Sequence, residues 1–374
     1  MSNLLISLFN NPELAKKLSM YDWSKVVSHG RDQNMLGRIW WRLQSNSVEK
    51  HGPDRVVPHF TSCNLFVEQQ EININRELED ISNTLVSRGI DTTVLKGAAY
   101  IAVSSSCKHG RIFNDIDILV DHSKIRDAEI ALMTKGWFHK KETDYDKRYF
   151  REWMHEIQPL IHKDRLTTID LHHNILPLTN KKHFNADKLK TIKLKQVPLL
   201  TFDLVDRFIH SATHLFTEGE FPHAIRDITD LIILYQELDG EEEAASALNL
   251  ILERSNALGL NDYVHLALLF VLQNLSKASE YKKIELPAKP GVYFWKQGET
   301  ILYIGKATNL KNRTNSYLQK NLIERRGPLI EKMVIESDAL EWRETESVLE
   351  ALLLETHLIK QHQPPYNSKE KDNK

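Results

Sequence analysis

A polar, lysine-rich segment in the last third of the chain divides the sequence into two unequal parts. Residues 277–289 read KASEYKKIELPAK, with one proline near the end and a second proline immediately after it. Such a composition is typical of a linker. The chain has 374 residues, more than the roughly 100 to 200 of a typical domain. We therefore predict two domains, at residues 1–275 and 287–374, joined by a linker at 276–286.

Composition excludes several classes of protein. Hydrophobic residues make up 41% of the chain and charged residues 27%, as in globular proteins with ordinary cores. The 49 basic and 51 acidic residues give a formal charge of -2, so only a local basic patch can argue for nucleic-acid binding. Cys63 and Cys107 are too few for a disulfide framework, which fits a reducing compartment.

No export signal or membrane span is predicted. The N-terminal sequence MSNLLISLFNNPELAKK has neither the basic start nor the cleavage pattern of a signal peptide. The most apolar window, residues 265–275, has about half of the ~20 residues that a spanning helix needs. We therefore expect a cytoplasmic protein that does not bind a membrane.

The first region is predicted to be a mostly helical α+β domain with a small mixed sheet. Helical periodicity marks residues 67–87, 203–238 and 242–275. Between these helices lie three short β-prone runs, TTVLKG, NDIDILVD and LTTIDLH.

Three aspartates fall on two of these strands. Asp115 and Asp117 share one strand face because side chains alternate, and Asp170 interrupts a second apolar strand. Carboxylates across adjacent strands suit two-metal phosphoryl chemistry, although a D-x-D pattern alone is more often not a metal site. His172 shares the strand face of Asp170, whereas His173 is expected to be structural.

Five motifs of this region occur in a recognisable order: VLKGAAY, RIFNDIDILVD, TIDLHHNIL, HSATHLF and IRDITDLIIL. Over about residues 20–275 they resemble the family of uncharacterised nucleotidyltransferases related to polymerase β. The resemblance implies that Asp115, Asp117 and Asp170 hold Mg²⁺ or Mn²⁺, with a nucleoside triphosphate (NTP) as a possible substrate.

The same resemblance assigns residues to the triphosphate. Gly97 would open the helix that faces it, and Lys96 and Arg111 would contact its phosphates. The superfamily pattern has a Gly-Ser pair after the first strand, whereas Gly97 is followed here by Ala98.

The second region begins with a predicted β-hairpin. GVYFW and TILYIG carry Tyr293 and Tyr303 and are joined by the polar turn KQGE. Thr308 is predicted to cap the next helix, on which Leu310, Arg313 and Tyr317 share one face. The sequence therefore puts an arginine where a core residue is expected.

The last helix, predicted at residues 345–362, also carries a misplaced charge. Glu355 falls in an apolar stripe with Val348, Leu352 and Ile359. A half-buried carboxylate costs several kcal/mol unless it is paired or holds a metal. Glu355 and Arg313 are either partners in a structural ion pair or members of a site.

A basic patch covers residues 303–332, with seven basic and two acidic residues. It is either a nucleic-acid contact or a solvated helix face.

Four motifs of the second region, PGVY, YIGKATNLKNR, TESVLEALLLETHLIK and PPYN, resemble the GIY-YIG nuclease domain. The form they resemble is found at the front of the excinuclease that makes the incisions in bacterial excision repair, and the match covers about residues 287–367. It implies a small α/β fold and hydrolysis of a phosphodiester, which a metal and a guanidinium assist by stabilising charge on the phosphate oxygens.

The resemblance also assigns roles. Tyr293 and Tyr303 are candidates for activating water, Gly305 for close backbone approach, Arg313 for the scissile phosphate and Glu355 for a single divalent metal. Weaker matches that line the site are Lys306, Tyr317 and Asn367.

We therefore predict a divalent-metal-dependent endonuclease acting on nucleic acid, with DNA favoured, fused to a nucleotidyltransferase-like domain. In the alternative, the enzyme is the transferase, which adds a nucleotide to RNA, a protein or a small molecule, and the GIY-YIG domain only binds nucleic acid. A third possibility is a binding protein in which both sites are idle.

Overall fold

The computed structural model of the chain describes residues 4–139, 149–151, 153–180, 182–217, 223–240, 247–275, 287–297, 300–315, 333, 337 and 339–367. The chain divides into two compact units, Met1–Leu275 and Ser276–Lys374. The predicted linker at 276–286 and most of the predicted basic patch lie outside the described residues.

The first unit opens with four helices: α1 (Leu4–Asn10), α2 (Met20–Asp32), α3 (Leu36–Ser45) and α4 (Val57–Leu85). The helix predicted at 67–87 is confirmed as the later part of α4. α4 begins ten residues earlier than predicted, with a proline in its first turn, where the missing N–H of proline costs no hydrogen bond.

A mixed sheet follows. It is formed by β1 (Thr93–Val94), β2 (Ile116–Leu119), β3 (Trp137–His139), β4 (Leu160–His162), β5 (Thr168–His172), β6 (Thr191–Lys193) and β7 (Leu200–Phe202), with α5 (Lys96–Ala102) and α6 (Ile125–Met133) between strands. Within the described residues the strand order is β3-β4-β5-β2-β1-β7-β6. The predicted strands are confirmed as β1, β2 and β5. The sheet is larger than predicted, because the other four strands are three residues long and too short for alternation to show.

Strand register brings the predicted carboxylates together. β2 runs parallel to β5, with Asp117 opposite Asp170, whereas β1 runs antiparallel to β2 and parallel to β7. Residues opposite each other in register point to the same face of a sheet, so both carboxylates lie on one face.

Two hydrophobic cores hold this unit together. The sheet packs against α4, α5 and α6 through residues such as Ile81, Ala99 and Ile118. The other core joins α1–α3 to the helices that follow the sheet, which are α7 (Leu204–Thr217), α8 (Ala224–Asp239), α9 (Ala247–Leu258) and α10 (Asn261–Asn274). None of the helices in the described part of the chain is long and apolar enough to cross a membrane.

A buried ion network connects the helical core to the sheet. Nη1 of Arg38 on α3 lies 2.6 Å from Oδ1 of Asp230 on α8, and Nε of Arg111 lies 2.8 Å from its Oδ2. Burial alone would raise the pKa of Asp230, but Arg111 and Arg38 outweigh it and lower that pKa. Arg38 also donates to the carbonyl oxygens of Cys107 and His109, so it fixes the loop before β2.

Breaking this network should destabilise the first unit. We expect Asp230→Asn to lower its free energy of unfolding by about 3–5 kcal/mol, because the change leaves buried guanidinium charge uncompensated. The control is Glu13→Gln in an exposed pair with Lys16, for which a change below ~1 kcal/mol is expected. Scanning calorimetry would measure both, and equal losses in the two variants would contradict the role of the network.

The second unit is a small sheet covered by a helix. Its elements are β8 (Gly291–Gln297), β9 (Thr300–Ala307), α11 (Leu310–Asn315), β10 (Ala339–Glu344) and α12 (Val348–His362). The strands are antiparallel in the order β10-β8-β9, and α12 packs on β8 and β9. The predicted hairpin and last helix are confirmed; β10 was not predicted.

Candidate active sites

Three aspartates converge on one face of the sheet in the first unit. Asp115, Asp117 and Asp170 each offer a carboxylate oxygen within 4.8 Å of the others. Asp115 immediately precedes β2, which carries Asp117. The structure therefore brings together the three residues that the sequence assigned to one metal site.

The three carboxyl groups differ in proton affinity. Burial would raise the pKa of Asp117, but Lys96 and His172 hold it well below its ordinary value. Lys96 Nζ lies 2.9 Å and His172 Nε2 3.0 Å from Oδ1 of Asp117. Burial, followed by the charges of Asp117 and Asp115, raises the pKa of Asp170 to about 9. Burial and Asp117 raise the pKa of Asp115 to about 6.

The structure explains why glycine occupies position 97. A Cβ atom there would lie 2.4 Å from Cδ1 of Phe113 and 2.8 Å from Nη1 of Arg111. The preceding Lys96 has a left-handed backbone, with φ of 43°. The following Ala98 is buried, so a serine in its place would bury a hydroxyl group. Close packing thus accounts for Gly97, and burial for the apolar Ala98.

Arg111, predicted to contact phosphate, already has carboxylate partners. Beside its bond to Asp230, it lies 3.7 Å from Asp227 and over the rings of Tyr100 and Phe113. Burial would lower the pKa of its guanidinium, but Asp230 and Asp227 raise it. Arg111 thus pairs with two carboxylates of α8, while Lys96 contacts Asp117 itself.

Two further residues beside the aspartates were not predicted from the sequence. His155 and Glu156 lie next to His172, which itself contacts Asp117. An isolated β-bridge pairs Glu156 with His172. No motif or periodicity marks a single bridge, so the sequence carried no signal for this contact.

The second unit places the two tyrosines of the hairpin side by side. The ring centroids of Tyr293 and Tyr303 lie 6.3 Å apart, and Nε of Arg313 lies 3.3 Å from the Tyr293 hydroxyl oxygen. A Cβ atom at Gly305 would lie 2.4 Å from that oxygen. Only glycine at this position lets the Tyr293 ring lie against β9.

Glu355 is buried and paired with Lys306. Its Oε1 accepts a hydrogen bond of 2.8 Å from the backbone N–H of Lys306, and its Oε2 accepts one of 2.7 Å from Nζ. The ion partner of Glu355 is thus Lys306. It is not Arg313, which the sequence offered as a partner in a structural ion pair. Glu355 is 7% exposed, whereas Val348 and Leu352 are 45% and 40% exposed. Placing these two apolar residues on the buried stripe was wrong, because the buried face of α12 centres on Ala351, Glu355 and Leu358.

Asn367 fixes strand β9. Its side chain accepts from the N–H of Ile304 at 2.9 Å and donates to the carbonyl of Ile304 at 2.8 Å. It thereby positions the strand that carries Tyr303, Gly305 and Lys306. Tyr317, the other weaker match, lies outside the described residues.

The cap of α11 differs by one residue from the prediction. Oδ1 of Asn309 accepts a hydrogen bond from the N–H of Asn312 at 2.9 Å. Asn309, not Thr308, therefore caps the helix, and both residue types are good caps, so local preference did not decide between them.

Both sites have donors that suit a hard divalent cation. The first unit offers three carboxylates, and Oδ1 of Asp170 is buried without a hydrogen-bond partner. Among the described residues of the second unit, Glu355 is the carboxylate that the sequence assigned to a metal, and a single carboxylate fits an ion that keeps most of its water ligands, as Mg²⁺ does. The oxygens of Glu355 each have a lone pair beyond the one used by Lys306.

A comparison with protein families identifies the first unit. The family model described as uncharacterised nucleotidyltransferase matches residues 19–275. The chain belongs to this family. The model of the UvrC-like GIY-YIG domain matches residues 289–368, so the nucleotidyltransferase-like unit is followed by a GIY-YIG endonuclease domain as in UvrC. The expected α+β fold and domain families are thereby confirmed.

Relatives of the second unit are UvrABC system proteins C. That of Natronomonas pharaonis is 42% identical over 99 residues, which are 26% of this chain and 16% of the relative. That of Lachnospira eligens is 48% identical over 96 residues, 25% of this chain and 15% of the relative. The chain thus spans less than a fifth of these relatives. The solved magnesium-bound GIY-YIG endonuclease domain of Thermotoga maritima UvrC is 35% identical, covering 24% of this chain and 97% of that one, with a TM-score of 0.22.

Neutralising Asp170 should stabilise the metal-free protein. Because its folded pKa of about 9 exceeds the unfolded value near 3.9, folding takes up a proton and stability falls as pH rises between these values. We expect Asp170→Asn to raise the free energy of unfolding by roughly 1–4 kcal/mol at pH 8 and to have little effect near pH 4. Calorimetry with a chelator at both pH values measures this. A gain that does not depend on pH would contradict the assigned pKa.

Proposed function

We propose that the second unit is a divalent-metal-dependent nuclease that hydrolyses phosphodiester bonds in nucleic acid, with DNA as the substrate. The arrangement of Glu355 around the hairpin carries this proposal. Its carboxylate bonds to Lys306, the neighbour of Gly305, and Gly305 pairs in register with Tyr293. Glu355 is thus bound to β9 at the residue next to Gly305, the position against which the Tyr293 hydroxyl and its Arg313 neighbour lie.

Each side chain has a task in the hydrolysis. Glu355 would hold the cation, which when bound stabilises charge on the phosphate oxygens. Water attacks phosphorus as the bond to the leaving oxygen breaks. The hydroxyl of Tyr293 or Tyr303 orients that water and passes its proton to bulk water, while a proton from bulk water neutralises the leaving oxygen. Arg313, held 3.3 Å from the Tyr293 hydroxyl, carries positive charge toward the phosphate. Lys306 compensates Glu355 when no cation is bound.

Removing the charge of Glu355 should separate cleavage from binding. We expect Glu355→Gln to lower the rate of cleavage about 100-fold or more, while affinity for nucleic acid changes little, because the carboxylate acts through the cation. The matched control is Glu346→Gln, an exposed position just before α12, which should cleave normally. Single-turnover cleavage with binding by fluorescence anisotropy measures both. Undiminished cleavage by Glu355→Gln would refute the assignment.

A second activity, transfer of a nucleoside monophosphate to RNA, a protein or a small molecule, is supported by the aspartate cluster of the first unit. Three carboxylates within 4.8 Å suit cations that accompany a triphosphate, and Lys96 Nζ at 2.9 Å from Asp117 lies within reach of the same face. In such a transfer the acceptor hydroxyl attacks the α-phosphorus and pyrophosphate leaves. The closely packed Gly97-Ala98 pair lacks the hydroxyl of the superfamily pattern.

Calorimetry with an NTP tests whether this site binds nucleotide. The wild type should bind NTP only with Mg²⁺, because the triphosphate charge must be neutralised beside three carboxylates. Asp115→Asn combined with Asp117→Asn should remove this binding and leave the nuclease largely intact. The control Asp127→Asn, exposed on α6, should bind as the wild type does. If the wild type shows no metal-dependent binding, the first unit keeps the transferase fold only as a recognition platform for the nuclease.

A further inference from the structure

A second cluster of ligating side chains lies beside the three aspartates. His155, Glu156 and His172 each offer one ligand atom within 4.8 Å of the others. The backbone fixes their positions, because Glu156 bridges to His172 and the N–H of His173 donates to the carbonyl of His155 at 2.9 Å. The cluster is thus built on paired backbone segments.

His172 lies between two carboxylates. Its Nε2 is 3.0 Å from Oδ1 of Asp117, and its Nδ1 is 3.4 Å from Oε2 of Glu156. A neutral imidazole has only one N–H. If Nε2–H donates to Asp117, the lone pair of Nδ1 faces the negative Glu156, and this ring is only 2% exposed. A cation between Nδ1 and Glu156 resolves this repulsion.

His155 adds a second unsatisfied nitrogen. Nδ1 of His155 and Nδ1 of His172 are both buried without a hydrogen-bond partner. The two rings lie 5.3 Å apart between centroids. Burying a polar atom without a partner costs roughly 1–3 kcal/mol, so two such nitrogens on the histidines of one cluster of ligating residues point to a ligand bound there.

The separation between His172 and Glu156 fits a transition metal ion, and the ligand atom of His155 lies within 4.8 Å of both. Zn²⁺ binds histidine nitrogen and carboxylate oxygen at about 2.0 Å in tetrahedral sites, which puts neighbouring ligands about 3.3 Å apart. The observed separation of 3.4 Å between His172 Nδ1 and Glu156 Oε2 matches such an edge. Metal-bound histidines commonly donate their other N–H to a carboxylate, and Asp117 stands in that position.

We propose that His155, Glu156 and His172 bind a first-row transition metal ion of the Zn²⁺ type, separate from the cation at the three aspartates. Two imidazoles and one carboxylate favour such an ion over Mg²⁺, which prefers oxygen ligands only. His172 joins the two sites, because its other nitrogen contacts Asp117. The bound ion would therefore orient Asp117, whether or not the proposed transferase activity exists.

Metal analysis of the intact protein tests this site. After loading with Zn²⁺ and dialysis against excess Mg²⁺, the wild type should retain one equivalent more zinc than the variants His155→Gln and Glu156→Gln. Replacing the zinc by Co²⁺ should give visible absorption bands of a low-coordinate site in the wild type but not in these two variants. His173→Gln, a neighbouring histidine outside the cluster, and Asp115→Asn should both keep the extra equivalent. Circular dichroism confirms that each variant is folded.

Two results would overturn the proposal. The first is equal zinc in the wild type and in folded His155→Gln and Glu156→Gln, which would mean that a proton on His172 bridges the carboxylates. The second is loss of the extra equivalent in Asp115→Asn but not in Glu156→Gln, which would place the zinc at the aspartates.

Discussion

Both candidate sites are built around buried carboxylates. An isolated buried carboxylate costs several kcal/mol, so each needs a proton, a cation or hydrogen-bond donors. Asp117 and Glu355 each have a lysine close by, Lys96 at 2.9 Å and Lys306 at 2.7 Å. Asp170 has a raised pKa instead. The fold around each site serves to hold these charges in place.

Lysine is well suited to this task. Its ammonium is a point charge on a flexible four-carbon stem, so it can neutralise a carboxylate and move aside when another cation arrives. Arginine has a different use in the first unit, where Arg38 and Arg111 bind Asp230 through a rigid, buried network. In the first unit, these arginines stabilise the fold and Lys96 lies at the aspartate site, whereas in the second unit Arg313 lies beside Tyr293.

Local sequence pattern predicted the elements that are long or strongly patterned, such as β2, β5, the hairpin and α12. It missed β3, β4, β6 and β7, each three residues long, and β10, since such strands depend on pairing with distant segments. The convergence of Asp115, Asp117 and Asp170 was predictable because alternation and apolar flanks mark both strands. Glu355 was marked by its place on an apolar helix face. The pairing of Glu355 with Lys306, 49 residues away, was not predictable, because no local pattern encodes a tertiary contact.

Packing explains why particular residue types occupy positions that the motifs identify without a reason. Glycine is required at positions 97 and 305 for the same physical reason: a Cβ atom at either would lie 2.4 Å from an atom of an aromatic side chain. Asn367 satisfies both backbone groups of Ile304, which makes it a positioning residue for β9. His155 and Glu156 belong to no motif and became visible only through their contact with His172.

We infer that the buried carboxylates of both units are retained to hold divalent cations. Anomalous diffraction from crystals of the full-length protein grown with Mn²⁺ tests this most directly. We expect manganese peaks within coordinating distance, about 2.0–2.3 Å, of Asp117 and Asp170 in the first unit and of Glu355 in the second. This inference would be contradicted if crystals grown with Mn²⁺ showed no peak at either place and Lys96 and Lys306 were still bound to their carboxylates.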